Sequence, residues 1–273
     1  MNTSNVKIGF AGFGNMAQAI CDGLLFRQVV SPSDIYACAR NMAKLQANCD
    51  ARGINACGSV EEVARAADLV VMAVLPDQVE TVVKEAACAL KGKPVFSIAA
   101  GINHDDYVSY LGEGYNHIST VPNTPVAVGE GIIVAEKTHS LTPEQLALFE
   151  GIFGQIASIE YFDTELMSIG STGAGCTPAF VDVFIEGLAD GLVKHGMPRA
   201  KAYSILPQMM IGSARYFMES GKHPGELKDA VCSPGGTTIC GISGLEECGF
   251  RYALIHGIDR ILEKKQSSKE PEQ

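Results

Sequence analysis

Near its start the chain reads IGFAGFGNMA (residues 8–17), an apolar run followed by a glycine-rich turn and the beginning of a helical pattern. A G-x-G-x-x-A spacing between a strand and a helix is typical of dinucleotide-binding folds. Gly12 permits the tight turn, Gly14 lets the backbone approach a pyrophosphate, and Ala17 allows close helix–strand packing. The helix N-terminus favours the phosphate charge. The pattern predicts a nucleotide site, and the alternative is a purely structural glycine turn.

Short apolar runs alternate with helical patterns as far as Phe162, which predicts parallel βαβ units. Asp68–Val74 is apolar on both faces, as expected of a central parallel strand. Ser59-Val60-Glu61-Glu62 has the spacing of a capping box that opens a short helix. The predicted strands are Val6–Ala11, Asp34–Ala39, Ile54–Cys57, Asp68–Val74, Pro94–Ala99, Asn116–Val121, Gly131–Ala135 and Ala157–Phe162. The predicted longer helices are Asn15–Phe26, Asn41–Ala51, Asp77–Leu90 and a helix from Thr142 to about Phe153.

After Asp163 only helical periodicity remains. The predicted helices here are Pro178–His195, Pro198–Ser220, Pro224–Val231, Thr237–Cys248 and Gly249–Lys264. The fold class is therefore α/β, with a Rossmann-like doubly wound dinucleotide-binding domain over residues 1–162 and an all-α helical domain over residues 163–273. The polar tail, residues 266–273, is predicted to be disordered.

The composition and net charge of the chain indicate which binding partners and which cellular compartment to expect. Of the 273 residues, 47% are hydrophobic and 19% charged, which is typical of a globular protein, and the net charge of −10 disfavours nucleic acid and anionic membranes. The nine cysteines form no C-x-x-C pair and the six histidines are scattered, so we expect reduced, mostly buried thiols and no metal site. No signal-like N-terminus or membrane-length apolar run is present, and we expect a cytoplasmic protein.

The end of the second predicted strand bears on the choice of cofactor. An acidic residue there binds the ribose 2′-hydroxyl of NAD, whereas Cys38-Ala39-Arg40-Asn41 offers an arginine that can pair with a 2′-phosphate. The arginine favours NADPH, with NADH possible. The alternative is that Arg40 is only a solvent-exposed arginine near the start of a helix. Two further strands end at the same edge of the sheet with small or apolar residues. The predicted cofactor-binding residues are Gly12, Phe13, Gly14, Asn15, Met16, Arg40, Ala73, Val74, Leu75, Pro76 and Ala100.

A second candidate site is the segment SPGGTT (residues 233–238), between two predicted helices. Its glycines free the backbone, and the N–H groups of a helix's first turn lack helical acceptors. Such a turn can hold a carboxylate without a cationic side chain, while a plain glycine turn with a threonine cap is the alternative. The predicted substrate-binding residues are Ser233, Gly235, Gly236, Thr237 and Thr238.

The region around this segment carries a resemblance to a known family. Residues 227–256, LKDAVCSPGGTTICGISGLEECGFRYALIH, closely resemble the C-terminal signature of pyrroline-5-carboxylate reductases. The similarity extends over nearly the whole chain through IGFAGFGNM (8–16), SIAAG (97–101), PNTP (122–125) and FIEGLADG (184–191). The resemblance implies NAD(P)H-dependent reduction of a cyclic imine acid to proline. It also implies a helical domain that forms homodimers or larger rings, with the substrate pocket between subunits.

With this reaction, site residues can be given roles. Thr238 is predicted to be the catalytic residue, as hydrogen-bond partner of the imine nitrogen. Ser233, with the backbone of Gly236 and Thr237, is predicted to hold the substrate carboxylate. No histidine is predicted to be catalytic.

The chain also departs from the family pattern. Leu75 replaces a usual lysine, Ser119 a usual arginine, and Gly175-Cys176-Thr177-Pro178 the usual Gly-Ser-Gly-Pro. The first two changes remove positive charge near the expected cofactor site, and together the three leave open a paralogue that reduces a related imine.

Two other classes of protein share parts of this pattern. A β-hydroxyacid dehydrogenase has the same glycine turn, but it carries a lysine on the long helix where residues 173–179 offer none. A non-catalytic NAD(P)-binding regulatory protein would be consistent with the charges lost at Leu75 and Ser119. The intact Ser233 and Thr238 argue for an enzyme.

Overall fold

The chain folds around one eight-stranded sheet followed by a set of helices, as described for residues 6–267 of a computed structural model. The order of strands across the sheet is β3-β2-β1-β4-β5-β6-β7-β8. The strands are β1 (Ile8–Ala11), β2 (Ile35–Cys38), β3 (Asn55–Ala56), β4 (Leu69–Met72), β5 (Pro94–Ser97), β6 (Asn116–Pro122), β7 (Gly131–Glu136) and β8 (Ala157–Phe162).

Helices connect the strands, and after β8 the described part of the chain is helical. Those of the sheet-containing part are α1 (Asn15–Phe26), α2 (Met42–Asp50), α3 (Val60–Ala66), α4 (Pro76–Glu85), α5 (Ala87–Leu90), α6 (His104–Leu111), α7 (Pro143–Phe153) and α8 (Met167–Ser171). Those that follow are α9 (Pro178–Lys194), α10 (Arg199–Ser220), α11 (Pro224–Ala230), α12 (Thr237–Glu247) and α13 (Phe250–Ser267). The predicted α/β class with a doubly wound first part is confirmed.

The sheet is not parallel throughout, contrary to the expectation of βαβ units over the whole first part. The strands from β3 to β6 are parallel, but β6 and β7 pair antiparallel, and β7 and β8 again pair parallel. The cause is the short connection 123–130, which contains only a 3₁₀ turn over Thr124–Val128. A parallel crossover needs a dozen or more residues, so this connection can only reverse the chain.

Apolar side chains cover both faces of the sheet. The buried cluster on one face includes Phe10, Phe96 and Phe149 of α7, and the cluster on the other face includes Val70 and Val83 of α4. All five are at most 1% exposed. The buried faces fix the strand register and thereby hold the loops at the carboxyl ends of the strands in place.

The chain divides into two compact units between Gly175 and Cys176. The predicted limit at residues 162/163 follows the last strand, whereas the division falls after the short helix α8, which packs against β7. A single π-helical turn, Thr172–Cys176, spans the division. Neither α8 nor the π turn was expected from the sequence.

Several local expectations also need correction. Helix α6 was missed, and the helix predicted over Asp77–Leu90 is divided into α4 and α5 at Ala86. Ser59 does cap α3 through Glu62 N–H at 3.1 Å, but the Glu62 carboxylate accepts from Gly58 N–H at 2.7 Å, so no reciprocal capping box forms. Helix α13 extends to Ser267, into the predicted tail, whose residues 268–273 lie outside the described part of the chain.

The nine cysteines are all free, and three of them are buried, so the expectation of mostly buried thiols is wrong for this chain. Three others, Cys88, Cys240 and Cys248, are exposed. Within residues 6–267, no helix is both long and apolar enough to cross a membrane. In the same part of the chain, no group of three or more histidine, cysteine or acidic side chains is placed to hold a metal ion.

Candidate functional site

An open cleft of about 1060 Å³ lies at the carboxyl ends of the first strands. Strand β1 lies between β2 and β4. After β1 the chain adds β2 and β3 on one side of it, and then crosses back to add β4 and β5 on the other side. Ligands of open α/β sheets bind at such a switch point, outside the carboxyl ends of the strands. This volume slightly exceeds the range of about 300 to 1,000 Å³ that is usual for sites of drug-sized ligands, so the cleft has room for a larger molecule such as a dinucleotide.

The glycine turn forms the floor of this cleft. Gly12 has a φ of +95°, and a Cβ atom there would lie 2.6 Å from the carbonyl oxygen of Ala73. A Cβ atom on Gly14 would meet nothing within 4 Å. Gly12 is therefore required by the fold, whereas Gly14 leaves open space on the side where a ligand would approach.

Helix α1 begins directly after this turn with its N–H groups available. Gly14 occupies the N-cap position, and no side chain caps the helix. Uncapped N–H groups and the helix dipole together make an anion site. The turn thus fits a pyrophosphate on the evidence of its own geometry.

All residues predicted to bind cofactor lie around the cleft. Phe13 is 5% exposed and its ring packs on Phe10 at 5.7 Å between centroids, so Phe13 presents mainly backbone. Leu75 is 59% exposed at the N-cap of α4. The structure places around the cleft Gly12, Phe13, Gly14, Asn15, Met16, Arg40, Ala73, Val74, Leu75, Pro76 and Ala100.

Two cationic side chains line the part of the cleft that follows β2. Arg40 follows β2, and Lys44 lies one turn into α2, whose N-cap Asn41 accepts a hydrogen bond from Lys44 N–H at 3.0 Å. The nearby thiol of Cys38 is kept protonated, because burial raises its pKa to about 11. Cys38 therefore carries no negative charge that would offset the positive charges of Arg40 and Lys44.

Sequence reasoning missed a further set of residues that line the cleft. They sit in the first turns of α2 and α3 and along α4, where each helix starts from the carboxyl edge of the sheet. Reading the first two turns after every parallel strand would have found most of them. The missed polar residues are Asn41, Lys44, Asn48, Ser59, Glu61, Asp77, Gln78, Thr81 and Glu85.

Ser119 is not among the residues that line the cleft, contrary to the expectation that its change alters charge near the cofactor. It is 3% exposed in β6, opposite Ser97 of β5, and its hydroxyl lies 2.9 Å from Nε2 of His117. His117 in turn stacks on Tyr107 with ring centroids 3.9 Å apart. Position 119 is therefore part of a buried polar cluster beneath α6.

The segment 233–238 forms a tight turn that opens α12. Gly235 has a φ of +69°, and Gly236 N–H donates to the Ser233 carbonyl at 2.9 Å. Gly236 is the N-cap of α12, no side chain caps the helix, and Thr237 and Thr238 form its first turn. Ser233 and Thr238 are exposed. The turn therefore presents backbone N–H donors and hydroxyl donors at one helix end, as a binding site for a small carboxylate requires.

Fold and cleft define the class of protein: an oxidoreductase of the two-part type, with a dinucleotide cleft in a doubly wound sheet and a helical second part. The family models agree with this division. Residues 7–101 match a model described as NADP oxidoreductase, coenzyme F420-dependent, and residues 164–268 match pyrroline-5-carboxylate reductase dimerisation.

Similarity over the whole chain is more specific. The chain is 39% identical over 261 residues to pyrroline-5-carboxylate reductase of Treponema pallidum (strain Nichols), covering 94% of this chain and 99% of that one. It is 41% identical to the Escherichia coli (strain K12) protein of the same name, covering 95% and 97%. The chain belongs to the pyrroline-5-carboxylate reductase family, so the resemblance predicted from residues 227–256 is confirmed.

Solved structures give the same result. The Plasmodium falciparum pyrroline carboxylate reductase with NADP bound matches with a TM-score of 0.87 and 28% identity, over 98% of this chain and 100% of that one. The Streptococcus pyogenes 1-pyrroline-5-carboxylate reductase matches with a TM-score of 0.84 and 28% identity, over 96% and 98%.

Proposed function

We propose that this chain reduces 1-pyrroline-5-carboxylate to L-proline, with NADPH as the preferred reductant. Membership of the family supports an NAD(P)H-dependent oxidoreductase of this kind. The observation that carries the proposal is the pairing of an intact SPGGTT turn at α12 with a dinucleotide cleft at the end of β1. A regulatory protein that only binds nucleotide would have no use for the first of these.

The protein's part in the reaction is mainly binding and alignment. Gly12, Gly14 and Arg40 would hold the reduced cofactor, which when bound would supply a hydride to the imine carbon. Thr238 holds the imine nitrogen through its hydroxyl, and a nitrogen that is already protonated makes the C=N carbon electrophilic without a further acid. Correct alignment of two reactants can lower a barrier by several kcal/mol. This accounts for a site without a histidine–carboxylate pair.

The substrate carboxylate is assigned to the same turn. Ser233 and the N–H groups of Gly236 and Thr237 form the proposed anion site, where the dipole of α12 favours negative charge. Gly235 allows the turn because its φ is positive. Gly236 allows it because a Cβ atom there would lie 2.5 Å from Ser233 Oγ. A carboxylate can thus be held without arginine or lysine.

Residues 163–273 are proposed to supply the substrate turn and the contacts between subunits of a homodimer or larger homo-oligomer. The helices of this region expose an unusual number of large apolar side chains, and such surfaces mark protein interfaces. Three of the most exposed are Met218 at 79%, Val183 at 68% and Tyr252 at 68%.

The remaining expectations concern partners and compartment. The net charge of −10 favours a small-molecule substrate over nucleic acid. Free cysteines without disulfides are typical of the reducing cytoplasm, where we expect this enzyme.

The test is a substrate panel with purified protein. NADPH and NADH oxidation are followed at 340 nm with no imine, with 1-pyrroline-5-carboxylate, and with six-membered and 2-carboxylate cyclic imines. We expect oxidation with the five-membered 5-carboxylate and a lower KM for NADPH than for NADH. Faster turnover of another imine would identify a paralogue, and cofactor binding without oxidation of any imine would leave only the regulatory alternative.

Thr238→Ala and Thr238→Ser test the proposed catalytic residue. The alanine variant should lower kcat by about a hundred-fold, the scale of a lost transition-state hydrogen bond. The serine variant keeps a hydroxyl and should recover much of the lost kcat. Neither substitution should change the Kd for NADPH. Equal kcat in the wild type and the alanine variant would remove Thr238 from the mechanism.

A further inference from the structure

One contact at the cleft joins its two walls. Arg40 follows β2 and Gln78 lies in the first turn of α4, which follows β4. Strands β2 and β4 lie on either side of β1. Their ends are therefore about 10 Å apart, two strand spacings, with the Gly12–Gly14 turn between them. A contact between these two side chains crosses over the site proposed for the pyrophosphate.

The chemistry of the pair fixes its geometry. A guanidinium has only donors, so the Gln78 amide must face it with its oxygen. In that orientation Gln78 Oε1 accepts from both Nη1 and Nη2 of Arg40, at 3.2 Å each. We refer to this contact as the Arg40–Gln78 bridge. In the described part of the chain Arg40 makes no salt bridge, so Gln78 orients its charge.

Glutamine suits this position better than an acid would. A carboxylate at residue 78 would pair with Arg40, neutralise it and repel a phosphate nearby. A neutral acceptor holds the guanidinium while leaving its full positive charge and its Nε–H donor for an anion. The acids that line the cleft are not in this contact: Asp77 precedes Gln78 in α4, and Glu61 and Glu85 lie on α3 and at the end of α4.

We infer that Gln78 is a positioning residue for cofactor selection: through the Arg40–Gln78 bridge it pre-orients the Arg40 guanidinium toward the 2′-phosphate of NADPH. This rests on the proposed function, whose preference for NADPH is expected from the sequence to come from Arg40 pairing with that phosphate. Pre-orientation lowers the cost of ordering a flexible side chain on binding. Gln78 therefore contributes to the affinity for NADPH and much less to that for NADH, which lacks the phosphate.

A double-mutant cycle tests the inference on the full-length protein. Kd values for NADPH and NADH are measured by fluorescence titration for the wild type, Gln78→Ala, Arg40→Ala and the double variant. Gln78→Ala should raise the Kd for NADPH about three- to ten-fold, and that for NADH by less than about two-fold. In the Arg40→Ala background the same change should have almost no effect, because residues that act through one contact are not additive.

The control is Gln46→Ala, a matched glutamine truncation on α2. Gln46 is exposed, donates to Asp50 at 2.7 Å and does not line the cleft, so both Kd values should stay unchanged. Thermal melts of all variants verify folding; Gln78 is only partly buried, and its truncation should leave Tm close to that of the wild type.

The possible failures are separable. If Arg40→Ala leaves the NADPH-to-NADH ratio of Kd values unchanged, the role of Arg40 in the proposed function is wrong and the inference falls with it. If Arg40→Ala abolishes the preference while Gln78→Ala has no effect or tightens NADPH binding, only the inference is overturned. An equal loss from Gln78→Ala in both backgrounds would also overturn it, since Gln78 would then act independently of Arg40.

Discussion

Two glycines of one turn show how the same residue type serves the fold in one place and the ligand in the next. Gly12 has a left-handed backbone and lies against Ala73, so both its φ and its surroundings exclude a side chain. Gly14 has an ordinary φ of −78° and open space around its Cβ position. Only the second is free to vary without disturbing the fold.

This difference leads to a matched pair of variants. Gly14→Ala should keep the free energy of unfolding near that of the wild type and weaken NADPH binding at least ten-fold, because the new methyl group occupies the proposed pyrophosphate site. Gly12→Ala should lower the free energy of unfolding by about 1–3 kcal/mol through backbone strain and a close contact. Urea unfolding measures the free energy of unfolding, and NADPH titration measures the Kd. Equal destabilisation by Gly12→Ala and Gly14→Ala would contradict the different roles given to the two glycines.

His117 shows how a buried titratable group links stability to pH. Burial, reinforced by His104 and His139, lowers its pKa to about 3. In the unfolded chain the same imidazole takes up a proton below about pH 6.5. Between these values the unfolded state binds more protons than the native state, so the free energy of unfolding falls as the pH falls.

His117→Asn should therefore flatten the pH dependence of stability. Between pH 6 and 4, the wild type should lose up to about 1.4 kcal/mol per pH unit through this residue alone. The variant will be less stable at pH 7.5, but its slope should be smaller by that amount in urea titrations. The control Gln46→Asn changes an exposed side chain of α2 that does not titrate and should keep the wild-type slope. Parallel curves for His117→Asn and the wild type would refute the assignment.

Helix α6 shows why a short element escapes prediction although its start signal is present. The reciprocal capping box between Asn103 and Asp106 is complete, with bonds of 3.0 and 2.8 Å. Only Tyr107 is buried among its eight residues, so the helix lacks an apolar stripe strong enough to be recognised. Its position is fixed instead by tertiary contacts, including the bond from His104 N–H to the buried Glu136 carboxylate at 2.8 Å.

Removal of this cap should affect both stability and cofactor binding. Asn103→Ala should lower the free energy of unfolding by about 1 kcal/mol, the usual value of an N-cap. It should also weaken NADPH binding a few-fold, because α6 begins at His104, four residues after Ala100 at the wall of the cleft. The control Thr142→Ala removes the corresponding N-cap of α7, which does not line the cleft. It should lower the free energy of unfolding by a similar amount and leave the Kd for NADPH unchanged. Loss of NADPH binding in both variants would point to general destabilisation instead.

The helical unit as a whole leaves its apolar side chains uncovered. Within the part of the chain described, its buried hydrophobic cluster contains only Ala189, Ala202 and Leu206. Side chains along α9, α10 and α13 are instead exposed, which a lone chain in water would not favour. A second copy of the same chain is the simplest cover, as the matched dimerisation model suggests.

Val183→Glu tests this at one position. Val183 is 68% exposed on α9, and burying a carboxylate in an apolar interface is costly, so the variant should shift the molar mass toward the monomer. Phe26→Glu is the matched control, since Phe26 is 62% exposed on α1 in the other unit. Light scattering after size-exclusion chromatography measures both. A monomeric wild type, or an unchanged mass for Val183→Glu and for a second variant, Tyr252→Glu, would refute this interface.

Local spacing was enough to predict the glycine turn at residues 12–17 and most strands and helices to within two residues, while the segment 227–256 was recognised by its resemblance to a known family. The turn and these elements follow from backbone conformation and the periodicity of apolar residues, which are properties of neighbours in the chain. The burial of Ser119 and the contact of Arg40 with Gln78 were instead visible only in the folded chain. Each depends on which distant segments pack together, and no local pattern encodes that.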